Sequence, residues 1–177
     1  MMNILITVAH PDDETIGMGG TIKKLSKNNE ITLCVMTDGA SAQYDEKKMI
    51  KVRQDACKKA GKILGISKFH FLNFPDMKLD SISHVEMNKE LEKIIKKINP
   101  KILYSTSYND LNKDHQKVFE SCSVISRPIS SKIKKFLCFE MGGRNKIPFN
   151  PNTYVDISKE LSFKLKALNQ YKTEINP

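Results

Sequence analysis

Five short apolar, β-prone runs, at residues 3–9, 31–37, 68–74, 101–107 and 136–140, recur along this chain, and the segments between them carry helical periodicity. That alternation constrains the fold more than any other feature. Helices are expected at about residues 14–27 and 46–64, the second with Met49, Val52, Ala56, Ala60, Ile63 and Leu64 on the face that packs on the sheet. A third fits residues 85–98 and is ended by Asn99-Pro100, because the residue before a proline is pushed out of helical geometry. A fourth starts near Asp114 and ends before Pro128. Gly142-Gly143 and the loop with Pro148 and Pro151 then lead to a short extended piece at 153–155 and a closing helix over 158–171. The class predicted is α/β, a doubly wound, mostly parallel, Rossmann-like sheet with helices on both faces.

A chain of 177 residues suffices for one domain, expected to span 1–177, with a core that needs neither disulfides nor a structural metal. Cys34, Cys57, Cys122 and Cys138 are scattered without a C-x-x-C pair, so free thiols packed as small hydrophobes are expected. The N-terminus lacks the pattern of a signal peptide, and no apolar run approaches the roughly 20 residues that span a bilayer. The reading is a soluble, cytoplasmic protein without a membrane span. A net charge of +9 is compatible with an anionic partner, but lysines such as Lys89, Lys93, Lys96 and Lys97 fall on helix faces without an aromatic-and-basic motif. A solvated surface explains them, and no nucleic-acid partner is expected.

The chemistry concentrates in His10-Pro11-Asp12-Asp13-Glu14, which follows the first strand directly and opens the first helix. One carboxylate there is explained as a helix cap that satisfies free backbone N–H groups. A histidine, two adjacent aspartates and a glutamate exceed what capping needs. Imidazole nitrogen and carboxylate oxygen are ligands for a zinc-like divalent ion, and a carboxylate outside the coordination sphere can act as a base.

A second cluster, Asp110-Leu111-Asn112-Lys113-Asp114-His115, occupies the same strand-end, helix-start position after the fourth strand. With a strand order of 3-2-1-4-5, strands 1 and 4 flank the crevice where the winding direction reverses and ligands collect. His10 and Asp13 then face His115, giving two imidazoles and one carboxylate with a coordination position left open, as expected of a catalytic rather than a structural site. Asp12 remains free as general base. His70, inside a strand candidate, and His84, at a helix start, are assigned packing or surface roles.

With both clusters in view, the chain resembles the LmbE-like, PIG-L-like family of zinc-dependent de-N-acetylases. Ala9-His10-Pro11-Asp12-Asp13-Glu14 is similar to the family's signature and Asp114-His115 to its second motif. Weaker similarities lie at Thr37-Asp38-Gly39, Arg53, Leu64-Gly65 and Phe74-Pro75-Asp76. The resemblance implies hydrolysis of an N-acetyl group on a glucosamine-like sugar, free or in a glycoconjugate. His10, Asp13 and His115 would hold Zn2+ or another divalent metal, and Asp12 would take a proton from the attacking water and pass it to the departing amine. Relatives often carry a histidine three residues before the second-motif ligand, where this chain has Asn112. An amide there still donates a hydrogen bond to an oxyanion but supplies no charge, which leaves open what Asp114 would hold. Arg53, Asp76 and Glu140 are the candidates for binding substrate. Relatives also extend beyond Pro177, so an open pocket, or a homo-oligomer whose neighbouring subunit completes it, is compatible with the pattern.

Two alternatives stand beside this one. A non-enzymatic nucleotide- or sugar-binding module is suggested by Gly17-Met18-Gly19-Gly20 after strand 1, although the run does not match G-x-G-x-x-G, falls within the expected helix, and adjoins an acidic turn that repels pyrophosphate. A metal hydrolase acting on another amide would share the same fold and ligands.

Overall fold

The computed structural model describes residues 1–44, 47–129, 131–143 and 145–175. Its elements follow in the order β1 (Asn3–Val8), α1 (Asp13–Leu25), β2 (Glu30–Thr37), α2 (Lys48–Leu64), β3 (Lys68–Phe74), a 3-10 turn (Leu79–Ser81), α3 (His84–Ile98), β4 (Ile102–Thr106), α4 (Lys113–Ile125), β5 (Lys135–Phe139), α5 (Leu161–Leu168) and α6 (Lys172–Ile175). The strands form one sheet in the order β3-β2-β1-β4-β5, every pair parallel.

Alternation along β1 explains the two layers, since successive side chains of a strand point to opposite faces. Ile4, Ile6 and Val8 join Met18 and Ile22 of α1, Cys57, Ala60 and Leu64 of α2, and Ala167 of α5 on one side. Leu5 and Ala9 join Met87, Leu91 and Ile94 of α3 and Val118 and Cys122 of α4 on the other. Winding from β1 toward β3 puts helices on one face, and the crossover through α3 back to β4 puts them on the other, as right-handed connections require. The winding direction reverses between β1 and β4, where Ile6 is paired with Tyr104 and Thr7 with Ser105.

Differences from the sequence reading are local. The expected start of α2 at Glu46 lies outside the described residues. Its buried stripe is Arg53, Cys57, Ala60, Gly61 and Leu64, while Val52 is exposed. Helical spacing was read correctly, but the face is turned by a residue because Arg53 points inward. Residues 153–155 form no strand, and the closing helix is interrupted between α5 and α6, with Tyr171 buried at the break. Gly17, Gly19 and Gly20 lie inside α1, which is kinked at Met18. A Cβ at Gly20 would come within 2.6 Å of Ile157, so that glycine admits the returning C-terminal segment. No helix among the described residues is long and apolar enough to cross a membrane.

Candidate active site

The turn after β1 is shaped by its own carboxylate. Asp13 Oδ2 accepts the backbone N–H groups of Ala9, at 3.1 Å, and His10, at 2.8 Å. Gly39, at φ +63°, leaves room for Pro11, which would otherwise meet a Cβ at 2.2 Å. The loop after β2 is thereby pressed against the turn, and the Thr37 hydroxyl donates to the Ala9 carbonyl at 2.8 Å. Asp12 occupies the N-cap position of α1 but makes no side-chain capping bond, so the capping explanation does not account for it.

Across the crevice, the Asn112 side-chain oxygen accepts the Asp114 N–H at 2.8 Å and caps α4. The Thr106 hydroxyl donates to the His115 carbonyl at 2.9 Å, fixing the first turn of α4 to the end of β4. The turn after β1 and the start of α4 thus meet as expected. His10 Nδ1 lies 3.2 Å from His115 Nε2 and 3.5 Å from Asp13 Oδ2, and His115 Nε2 lies 3.3 Å from Asp13 Oδ1. Donors bonded to a tetrahedral zinc at ordinary lengths are separated by about 3.3 Å. The two contacts to Asp13 use different oxygens, and one ligand atom from each of the three residues lies within 4.8 Å of the others, so a divalent metal is a group this arrangement can hold.

The other nitrogen of each ring faces a carboxylate, the arrangement that fixes tautomer and orientation in metal-binding histidines. His115 Nδ1 is 2.8 Å from Asp110 Oδ2. His10 Nε2 is 3.3 Å from both Asp114 Oδ2 and Asp76 Oδ1. Asp114 is fully buried and also accepts the N–H groups of Met77, at 2.8 Å, and Leu79, at 3.0 Å. It ties the loop after β3 to α4 behind His10. His10, Asp76 and Asp114 form a second group that could hold a cation.

Burial works against charge on both imidazoles, yet the neighbouring carboxylates outweigh it. The Asp13 charge and the Asp110 hydrogen bond push His115 up to about 9. Asp13, Asp114 and Asp76 hold His10 well above its ordinary value. Asp13 is held well below the usual carboxylate range, because the two imidazoles overcome its burial. Asp12 goes the other way: burial and the adjacent Asp13 charge push it up to about 7 against the pull of Arg53 and His10. Two neighbouring aspartates are thus shifted in opposite directions, Asp13 by the imidazoles and Asp12 by burial and the Asp13 charge.

These groups open onto a cavity of about 430 Å³ lined by His10, Asp12, Asp13, Arg53, Asp76, Asn112 and His115 among others. Arg53 is buried and directs Nη2 to Asp12 at 3.4 Å and Nη1 to Glu174 at 3.0 Å. Asn112, its oxygen engaged in the cap, turns its amide nitrogen to within 3.6 Å of the Met77 sulfur. Glu140 is not brought to this cavity; it lines an adjoining, larger one with Tyr108 and Phe119 and accepts from Asn145 at 2.7 Å. Sequence reasoning assigned no role to Asp110, although a carboxylate five residues before His115, in the loop that leads into α4, is a usable signal. It also missed Glu174 and the bond from the Tyr171 hydroxyl to Glu14 at 2.6 Å. No local pattern announces those, since they join the two ends of the chain.

The doubly wound parallel sheet thus carries, where its winding reverses, a His-Asp-His group able to hold a metal ion. The profile of the family PIG-L, described as GlcNAc-PI de-N-acetylase, matches residues 5–125, and the chain belongs to that family of deacetylases. It is 28% identical to a diacetylchitobiose deacetylase of Thermococcus kodakarensis over 97% of this chain and 69% of that protein. It is 30% identical to the uncharacterized deacetylase YaiS of Escherichia coli, over 96% of this chain and 90% of that one. Among solved structures, the N,N'-diacetylchitobiose deacetylase of Pyrococcus horikoshii superposes with a TM-score of 0.80 at 27% identity, covering 98% of this chain and 70% of its own.

Proposed function

We propose that residues 1–177 act as one deacetylase domain that removes the acetyl group from an N-acetylglucosamine-like sugar, free or in a glycoconjugate, with His10, Asp13 and His115 holding a zinc ion. The observation that carries this reading is the convergence of His10 Nδ1, Asp13 and His115 Nε2 beside an aspartate, Asp12, that is not part of the donor set. When bound, the metal supplies a Lewis acid that polarises the amide carbonyl and acidifies water.

The remaining work falls to the side chains. Asp12, held on the cavity wall by Arg53, accepts a proton from the attacking water and returns it to the amine as the C–N bond breaks. Burial and the adjacent Asp13 charge raise its proton affinity above that of an exposed aspartate, which favours accepting that proton. The Asn112 amide donates to the oxygen that gains charge as the carbonyl becomes tetrahedral. Asp110 keeps His115 oriented, and Asp114 with Asp76 keeps His10 oriented. Asp76 also lines the cavity, where its carboxylate can receive a sugar hydroxyl. Glu140 is placed to meet only a longer substrate that reaches the adjoining cavity.

The test is acetate release from N-acetylglucosamine and N,N'-diacetylchitobiose by the purified protein, before and after chelation and after zinc is restored. Release that is lost on chelation and regained with zinc is expected. Absence of release from all N-acetyl sugars by zinc-loaded protein would overturn the proposal.

A further inference from the structure

We propose that Glu174 makes this cavity select neutral N-acetyl sugars over conjugates with an anionic aglycone, by occupying the guanidinium that would otherwise receive the anion. The inference rests on the deacetylase reading and sharpens its substrate class.

Arg53 is the only lysine or arginine among the described residues that line the cavity, although the chain contains 29 such residues. A guanidinium is the side chain best shaped to grip a carboxylate or phosphate, through two parallel N–H donors. Here both terminal nitrogens already face carboxylates, Nη1 facing Glu174 at 3.0 Å and Nη2 facing Asp12 at 3.4 Å. Arg53 is buried, so it cannot swing out to solvent to meet a ligand. Its Nε is buried as well, without a hydrogen-bond partner among the described residues.

The rest of the described wall deepens the asymmetry. Asp12, Asp13, Asp76 and Glu174 contribute four carboxylates, the His10 and His115 imidazoles lie with Asp13 in the donor cluster, and Ile16, Gln43, Met77, Asn112, Met141 and Gly142 contribute no charge. Away from the His10, Asp13 and His115 cluster, which the acetamide occupies, an anionic aglycone must displace Glu174 from Arg53 or rest unpaired beside Asp76 and Glu174. Neutral sugar hydroxyls face no such conflict, since they can donate to Asp76 and Glu174 and accept from Gln43. Glu174 is itself anchored. The Tyr171 hydroxyl, one helical turn earlier, donates to Glu14 at 2.6 Å, and Tyr171 is 2% exposed. The Glu174 side chain is 26% exposed, so it stands at the solvent side of the cavity rather than among the metal donors.

The decisive comparison is kcat/KM for acetate release from N,N'-diacetylchitobiose and from N-acetylglucosaminyl malate, in the unmodified protein, Glu174→Gln and Glu174→Asp. The unmodified protein should favour the neutral sugar. Glu174→Gln should shift the ratio toward the malate conjugate by roughly tenfold or more, the scale of one charge–charge contact out of bulk water. Glu174→Asp, which keeps the charge, should retain the original preference. An unchanged ratio in Glu174→Gln, or an initial preference for the malate conjugate, overturns the inference. Absence of release from both sugars would overturn the deacetylase reading instead, and binding of malate alone, measured by calorimetry, then decides this one. Tighter malate binding by Glu174→Gln upholds it, and equal binding by both proteins defeats it.

Discussion

Asp110 Oδ2 sits 2.8 Å from His115 Nδ1, on the side of the ring away from the donor cluster, so the imidazole presents Nε2 to His10 and Asp13. The same aspartate accepts the Asn112 N–H through Oδ1 at 2.8 Å. One side chain therefore sets both the orientation of His115 and the shape of the loop that leads into α4. Asp110→Asn should bind zinc about ten- to a hundredfold more weakly, the usual cost of losing such a partner, with little change in the far-ultraviolet circular dichroism. Unaltered zinc affinity in a competition titration would show that the His115 ring is oriented by other means.

Asp12→Asn keeps the size of the base and removes its basicity. Turnover should fall by roughly two to four orders of magnitude while metal content is maintained. Concomitant loss of metal, read by elemental analysis, would mean that Asp12 rather than Asp13 completes the donor set.

Asn112 has two functions that substitution can separate. Its oxygen caps α4, and its amide nitrogen is directed toward the cavity. Asn112→Ala should cost about 1 kcal/mol of stability through the cap and lower turnover by about ten- to a thousandfold through the lost donor. Asn112→Ser restores the cap but not the reach of the amide, so it should recover stability in urea unfolding and leave turnover low. Recovery of both would reduce Asn112 to a cap.

The four cysteines are free, and three are fully buried. Burial pushes the Cys122 thiol up to about 12 and the partly covered Cys138 up to about 11. Thiolate is the reactive form, so at pH 8 the folded protein should react slowly with a thiol reagent and all four groups should react at once in denaturant. Rapid labelling of the native protein would place at least one thiol at the surface.

The sheet and its order were legible because five apolar runs alternate with helical segments, and such an alternation has few solutions with right-handed crossovers. The meeting of His10, Asp13 and His115 was legible for a related reason: they follow strand ends, so the topology brings them together. Arg53 was harder. Its spacing falls on the buried stripe of α2, but an arginine reads as solvent-facing unless the carboxylates that receive it are known, and Glu174 lies 121 positions away. Glu140 shows the converse, since its strand end opens onto the neighbouring cavity rather than the metal donors. Contacts set by strand order could be inferred; contacts made by the returning C-terminal segment could not.

The central claim is that His10, Asp13 and His115 together hold the metal on which deacetylation depends. The direct measurement is metal stoichiometry and acetate release in the unmodified protein and in His115→Ala, prepared side by side with zinc. The account predicts one equivalent of zinc and activity in the first, and loss of both in the second. A His115→Ala protein that retains a full equivalent of zinc would contradict it.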